Sequence, residues 1–191
     1  RRLLLIGRLD EAERVLNDLD AAALPVTSRA GYELVAAGIA MRRIRAKPAR
    51  DALDRARSAA AGVGHAALNV EVARAVQAFE APAARLVASD GEQILRLEEV
   101  EALMASDALI IDACRNVVRT KKAIVRLASR AVLFALARVL GESWPEDASR
   151  EELLVRAFRA READESHRAR LRVEIGRLRE AISPLAEIQA T

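Results

Sequence analysis

Five arginines stand within twelve residues of "SHRARLRVEIGRLREAI", residues 166–182: Arg168, Arg170, Arg172, Arg177 and Arg179. A guanidinium is planar and permanently charged, and its rigid fork of donors bonds bidentately to a phosphate or to guanine O6 and N7. Glu174 is the one acid between Ser166 and Arg179, so that stretch carries a formal charge of +4. Projected at about 100° per residue, Leu171, Ile175, Leu178 and Ile182 fall in a narrow arc that reads as a buried stripe. Ser166, Arg170, Val173, Gly176 and Arg177 lie opposite, while Arg168, Arg172 and Arg179 flank the stripe. A helix of this kind fits the major groove of B-DNA, where an outward valine can touch a thymine methyl. The same pattern also describes a solvated basic face carrying one valine. Helix chemistry alone does not choose between the two.

Other reactive residue types are sparse. His167 opens the arginine segment, where it suits a phosphate contact or a plain surface position, and His65 falls in a Gly-Val-Gly-His turn. Two such distant histidines and one cysteine cannot be assembled into a favoured metal-ligand spacing, so no metal and no cofactor are expected. Cys114 lies in a stretch that reads as a strand and is expected to be a buried small apolar residue. No glycine-rich phosphate loop, nucleophile elbow or His-Glu-x-x-His motif occurs. The acid pairs Glu98/Glu99 and Glu151/Glu152 read as exposed helix starts. No catalytic residues are assigned, and the chain is not read as an enzyme.

Composition bounds the elements that carry this helix. Of 191 residues, 52% are hydrophobic and 31% charged, which describes a folded protein rather than a disordered one. With only Tyr32, Phe79, Phe134, Trp144 and Phe158 as aromatics, the interior must be built from Ala, Leu, Val and Ile. Net charge is +3 and the pI is near 9.6, but the local arrangement of arginines is more informative than either. A single cysteine excludes an internal disulfide and fits a reducing compartment, so a cytoplasmic location is expected. No apolar run approaches the roughly 20 residues that span a bilayer, and no membrane partner is expected. The chain opens in mid-pattern without a Met and reads as part of something longer.

Two halves follow along the chain. Residues 1–81 read as consecutive helices, with Leu9, Ala12, Leu16 and Leu19 on one stripe and Asp10 with Glu13 at capping-box spacing. "SRAGYELVAAGIAMRRIRA" continues with Tyr32, Val35 and Ile39 inward. Pro48 opens the next helix, Gly62 and Gly64 mark its end, and Leu68, Val72, Val76 and Phe79 form a further face. "GRLDEAERVL" and "AKPARDALDRA" align at an offset of 40, setting Ala12 over Ala52 and Leu16 over Ala56. In this the half loosely resembles tetratricopeptide-type helical repeats, which implies paired antiparallel helices and contact with another protein or a second copy.

From Pro82 the pattern changes. "ARLVASDGEQILRL" carries a hairpin signal around Ser-Asp-Gly, and "EEVEALMAS" suits either a short helix or a strand. "ALIIDACRNVVRTKKAIVRLA" reads strand, turn, strand about "RTKK". Three helices close the chain: one after Ser129 with Leu133, Leu136 and Leu140 inward, one after a Ser149/Glu152 capping-box spacing, and the arginine helix. Trp144, just before Pro145, is expected to pack at a helix end under the sheet.

Residues 82–191 resemble the winged-helix output domain of OmpR/PhoB-type transcription regulators, most of all through "LRVEIGRLREAI" and the strand-turn-strand-helix run before it. The fold this implies is α+β and helix-rich: an N-terminal helical-repeat module, residues 1–81, then a C-terminal winged helix-turn-helix with a small antiparallel sheet, residues 82–191. The function it implies is regulation of transcription by reading double-stranded DNA. On that resemblance Arg172, Val173 and Arg177 face bases, and Arg168, Arg170 and Arg179 face phosphates. The sequence departs from the family at Glu174, where a phosphate-compatible residue is usual, and at Gly176, which costs about 1 kcal/mol of helix propensity. "EIQAT" supplies the first strand of a closing wing, and residues 1–81 carry no receiver-domain pattern. The competing class is a helical-repeat adaptor whose basic helix docks on an acidic protein. A third is an oligomerisation domain acting through residues 1–81.

Overall fold

The computed structural model describes residues 1–89, 91–158 and 165–189. They form a helix-rich α+β protein with small antiparallel sheets, divided into two compact units. One unit comprises Arg1–Arg85 with Ile94–Ala102; the other comprises Leu86–Gln93 with Leu103–Thr191.

The first unit contains α1 (Arg2–Leu5), α2 (Leu9–Asn17), α3 (Val26–Arg42), α4 (Ala46–Val63) and α5 (Ala66–Glu80), with the base of a hairpin and the start of a short helix. Helices α3 and α4 are its main pair, and α5 packs on both. Ala30, Ala37, Ala52, Ala56 and Ala60 are buried where these helices meet. Alanine is the best helix former and the smallest side chain with a Cβ, so such positions let helix axes approach closely. A buried carboxylate, Glu33 on α3, accepts a 2.9 Å hydrogen bond from Arg55 Nε on α4 and pairs with Nη2 at 2.9 Å, fixing the two helices in register.

Local details differ from the sequence expectation. Helix α2 begins at Leu9 with Arg8 as N-cap and no side-chain cap, so Asp10 and Glu13 make no capping box. Both acids instead pair with Arg43 at the end of α3, and Glu13 also takes Arg45 at 3.2 Å. Leu19 lies beyond α2 and is exposed, and Tyr32 and Val35 are only half-buried. Helix α3 stops at Arg42 rather than running to Ala46, because Ile44 takes a left-handed φ of 56°. Its N–H donates to Met41 O at 3.0 Å and that of Arg45 to Ala40 O at 2.9 Å, which is a Schellman ending with isoleucine in the glycine position. At α4, Pro48 does fall in the first turn and Gly64 is a left-handed C-cap.

Hairpin strands β1 (Ala84–Ala88) and β2 (Gly91–Leu95) lead into α6 (Leu97–Ala105), which settles "EEVEALMAS" as helix. The second unit then holds an antiparallel sheet, β3 (Ile110–Asp112), β4 (Val117–Arg119) and β5 (Ile124–Arg126), with Ile111 opposite Val118 and Val118 opposite Val125. The expected two strands are three. Asp112 Oδ1 accepts from Cys114 N–H at 2.9 Å and Arg115 N–H at 3.1 Å, and Asn116 takes a φ of 52°, so the chain turns before β4. Cys114 therefore sits exposed in a turn, not buried in a strand.

Helices α7 (Ala131–Ser143), α8 (Arg150–Phe158) and α9 (Glu165–Ile182) complete the unit. Leu127, Leu133, Phe134, Leu136, Leu153 and Leu154 form its core with Val118 of the sheet. Ser149 Oγ accepts from Glu152 N–H at 3.1 Å, while the Glu152 carboxylate turns to Arg156, so half of the capping box forms. Trp144 follows α7 and is 72% exposed, so it does not pack under the sheet; near the same end of α7, Ile111 of β3 is seated against Gly141. Residues 186–189 form no strand, and Leu185 and Ile188 pack against the core instead.

Candidate nucleic-acid interface

Helix α9 is held by a narrow seam. Leu171, Leu178 and Ile182 are buried in the core built by α7 and α8, and Ile175 is half-buried against it. That i, i+4, i+7, i+11 spacing follows one side of an α-helix, so most of the opposite side is left to solvent. Helices α7 and α8 supply its main contacts among the described residues, and the turn residues 159–164 lie outside that set.

Each candidate residue has a definite place. Val173 is 53% exposed, and the Arg177 side chain is 62% exposed. Arg177 Nη1 donates to Glu174 Oε1 at 2.9 Å. Glu174 is itself largely covered, so its carboxylate is occupied with steering Arg177 rather than projecting outward. Arg172 is exposed and makes no ion pair among the described residues. Arg168 pairs with Glu165 at 3.5 Å, one turn back. Arg170 lies over the Phe158 ring at 5.2 Å, which ties the start of α9 to the end of α8 by a cation–π contact. Arg179 Nε donates to Ile188 O at 2.8 Å and thereby pins the segment after α9.

The five arginines are thus brought onto one helix, and four of the five have one local contact that orients a guanidinium. Exposed pairs of this type hold little energy, so they yield readily to a stronger anion. No carboxylate other than Glu180 lies among the exposed residues from Arg168 to Glu180. Lys121 and Lys122 in the β4–β5 turn, Arg126 on β5 and Arg130 before α7 are further exposed cations of the same unit without ion pairs among the described residues. The sequence assigns none of the four a role, and "RTKK" is a signal for Lys121 and Lys122 alone.

At the end of α7, Glu142 bridges Arg138 at 2.9 Å and Arg156 of α8. Burial works against its ionisation, but the hydrogen bonds from the two arginines outweigh it and hold the carboxyl below its usual range. This cluster locks α7 to α8 beneath α9 and has no free acid for proton transfer.

The first unit holds an open cavity of about 360 Å³ between α4, α5 and the start of α6. Arg50 there pairs with Glu98 and lies 5.5 Å over Phe79, and Arg57 pairs with Asp54 at 3.4 Å. These opposing charges satisfy each other and select no ligand class. Among the described residues, no group of His, Cys, Asp and Glu is placed to hold a metal ion, and no helix is long and apolar enough to cross a membrane. No family model, curated protein or solved structure matches the chain.

Proposed function

We propose that the chain is part of a DNA-binding transcription regulator acting in the cytoplasm, with α9 as the helix that reads double-stranded DNA. In this reading the second unit is a winged-helix domain of the OmpR/PhoB type, with α8 and α9 as its helix-turn-helix. The order of a small antiparallel sheet followed by α7, α8 and α9 supports it. The observation that carries it is the division of α9 itself: Leu171, Leu178 and Ile182 are buried, whereas Val173, Arg172 and Arg177 stand in solvent. Arg172, Val173 and Arg177 read base edges, and Arg168, Arg170 and Arg179 take phosphates. The carboxylate of Glu174, held against Arg177, aims that side chain rather than repelling the duplex.

The test is site selection from a random DNA pool, followed by Arg177→Ala measured on the selected site and on random duplex. The reading expects a loss of about 1–3 kcal/mol on the selected site and relaxed preference at one position. Equal losses on both DNAs remove Arg177 from base reading.

The helical first unit, tetratricopeptide-like in this reading, serves dimerisation or a protein partner. Leu5, Ile6, Val15, Leu19 and Val26, all exposed near its start, favour such a contact. A helical-repeat protein-interaction adaptor, with the basic helix docked on an acidic partner, is the second reading, and it predicts no duplex binding by α9.

A further inference from the structure

Glycines inside the helices of this protein meet different surroundings. At Gly38 an added Cβ would lie 2.7 Å from the Leu4 side chain, and at Gly141 it would lie 2.4 Å from Ile111. Both glycines admit a neighbour. At Gly176, in the body of α9, an added Cβ would meet nothing within 4 Å, and the backbone has no positive φ. Gly62 also faces open space, but it lies in the last turn of α4, beside the Gly64 cap, where the helix is ending. Neither packing nor backbone conformation within the described residues asks for glycine at 176, and apart from proline it is the residue that weakens a helix interior most.

Three of its four neighbours on the helix surface are candidate DNA contacts, and the fourth is the exposed carboxylate of Glu180. Arg172 lies four residues before it, Val173 three before, Arg179 three after and Glu180 four after, with Arg177 the next residue along the chain. A missing side chain exposes helix backbone between these arginines, and glycine is the residue that lets another molecule approach a backbone closely. Resting on the DNA-binding reading above, we propose that Gly176 is the close-approach position of α9, where the bare helix backbone lies against the duplex and the arginines reach past it to bases and phosphates. Gly176 is a positioning residue: it sets how deeply α9 sits and supplies no charge.

Gly176→Ala and Gly176→Leu in the whole chain test this, with thermal unfolding and duplex binding measured in parallel across a salt series. Gly176→Ala is expected to melt higher than the native chain yet bind duplex DNA at least tenfold more weakly, and Gly176→Leu more weakly still. The salt slope should stay that of the native chain, because no cation is removed. A Gly176→Ala chain that melts higher and binds as tightly as the native chain overturns the close-approach role while leaving the DNA-binding reading intact. Absence of duplex binding by the native chain overturns both.

Discussion

The two units bury opposite kinds of side chain. Among the described residues, nine of the first unit's fifteen buried apolar residues are alanine; of the second unit's thirteen, one is. The first unit gains its stability from helices that touch nearly backbone to backbone, and the second from large aliphatic volumes shared by sheet and helices. This difference bears on function. Both units leave large apolar residues outside, as Leu5, Ile6 and Val15 in the first and Ile124, Trp144 and Val173 in the second, but the second seats the buried leucines of α9 in its aliphatic core.

Opposite substitutions should therefore hurt the two units. The largest effect is expected at Leu178, fully buried beneath α9: Leu178→Ala should destabilise by about 2–5 kcal/mol in denaturant unfolding and release the helix. A cost under about 1 kcal/mol would show that α9 is not held by this core. Next, Ala56→Leu between the first unit's helices should cost about 1–3 kcal/mol through overpacking, and a neutral result would erase the contrast between the units. Smallest, Ser149→Ala should cost about 1 kcal/mol by removing the bond to Glu152 N–H, with the loss confined to the second unit's transition.

What the sequence made legible follows local rules that nothing overrides. The stripe Leu171, Leu178, Ile182 needs only helical periodicity, and Gly64 and Ser149 occupy ends that their chemistry favours. Differences from the sequence expectation arise both from distant partners and from local backbone turns. Asp10 and Glu13 have cap spacing, but Arg43 lies 30 and more residues away and takes them both. Ile44 adopts a conformation that β-branched residues avoid, so the end of α3 carries no sequence mark. Asp112 closes a turn with its own side chain, splitting one expected strand into two and exposing Cys114. Glu174 stands out in the sequence only as a departure from the family's pattern, although its i, i+3 spacing to Arg177 already allows the ion pair that forms.

The central claim is that the exposed arginines of α9 bind the phosphates and bases of duplex DNA. A titration of the whole chain against random-sequence duplex, repeated from low to high salt, tests it most directly. The account predicts log K falling linearly with log salt, and a slope shallower by about one unit for Arg168→Ala. No duplex binding at low salt, or a slope that Arg168→Ala leaves unchanged, would contradict it.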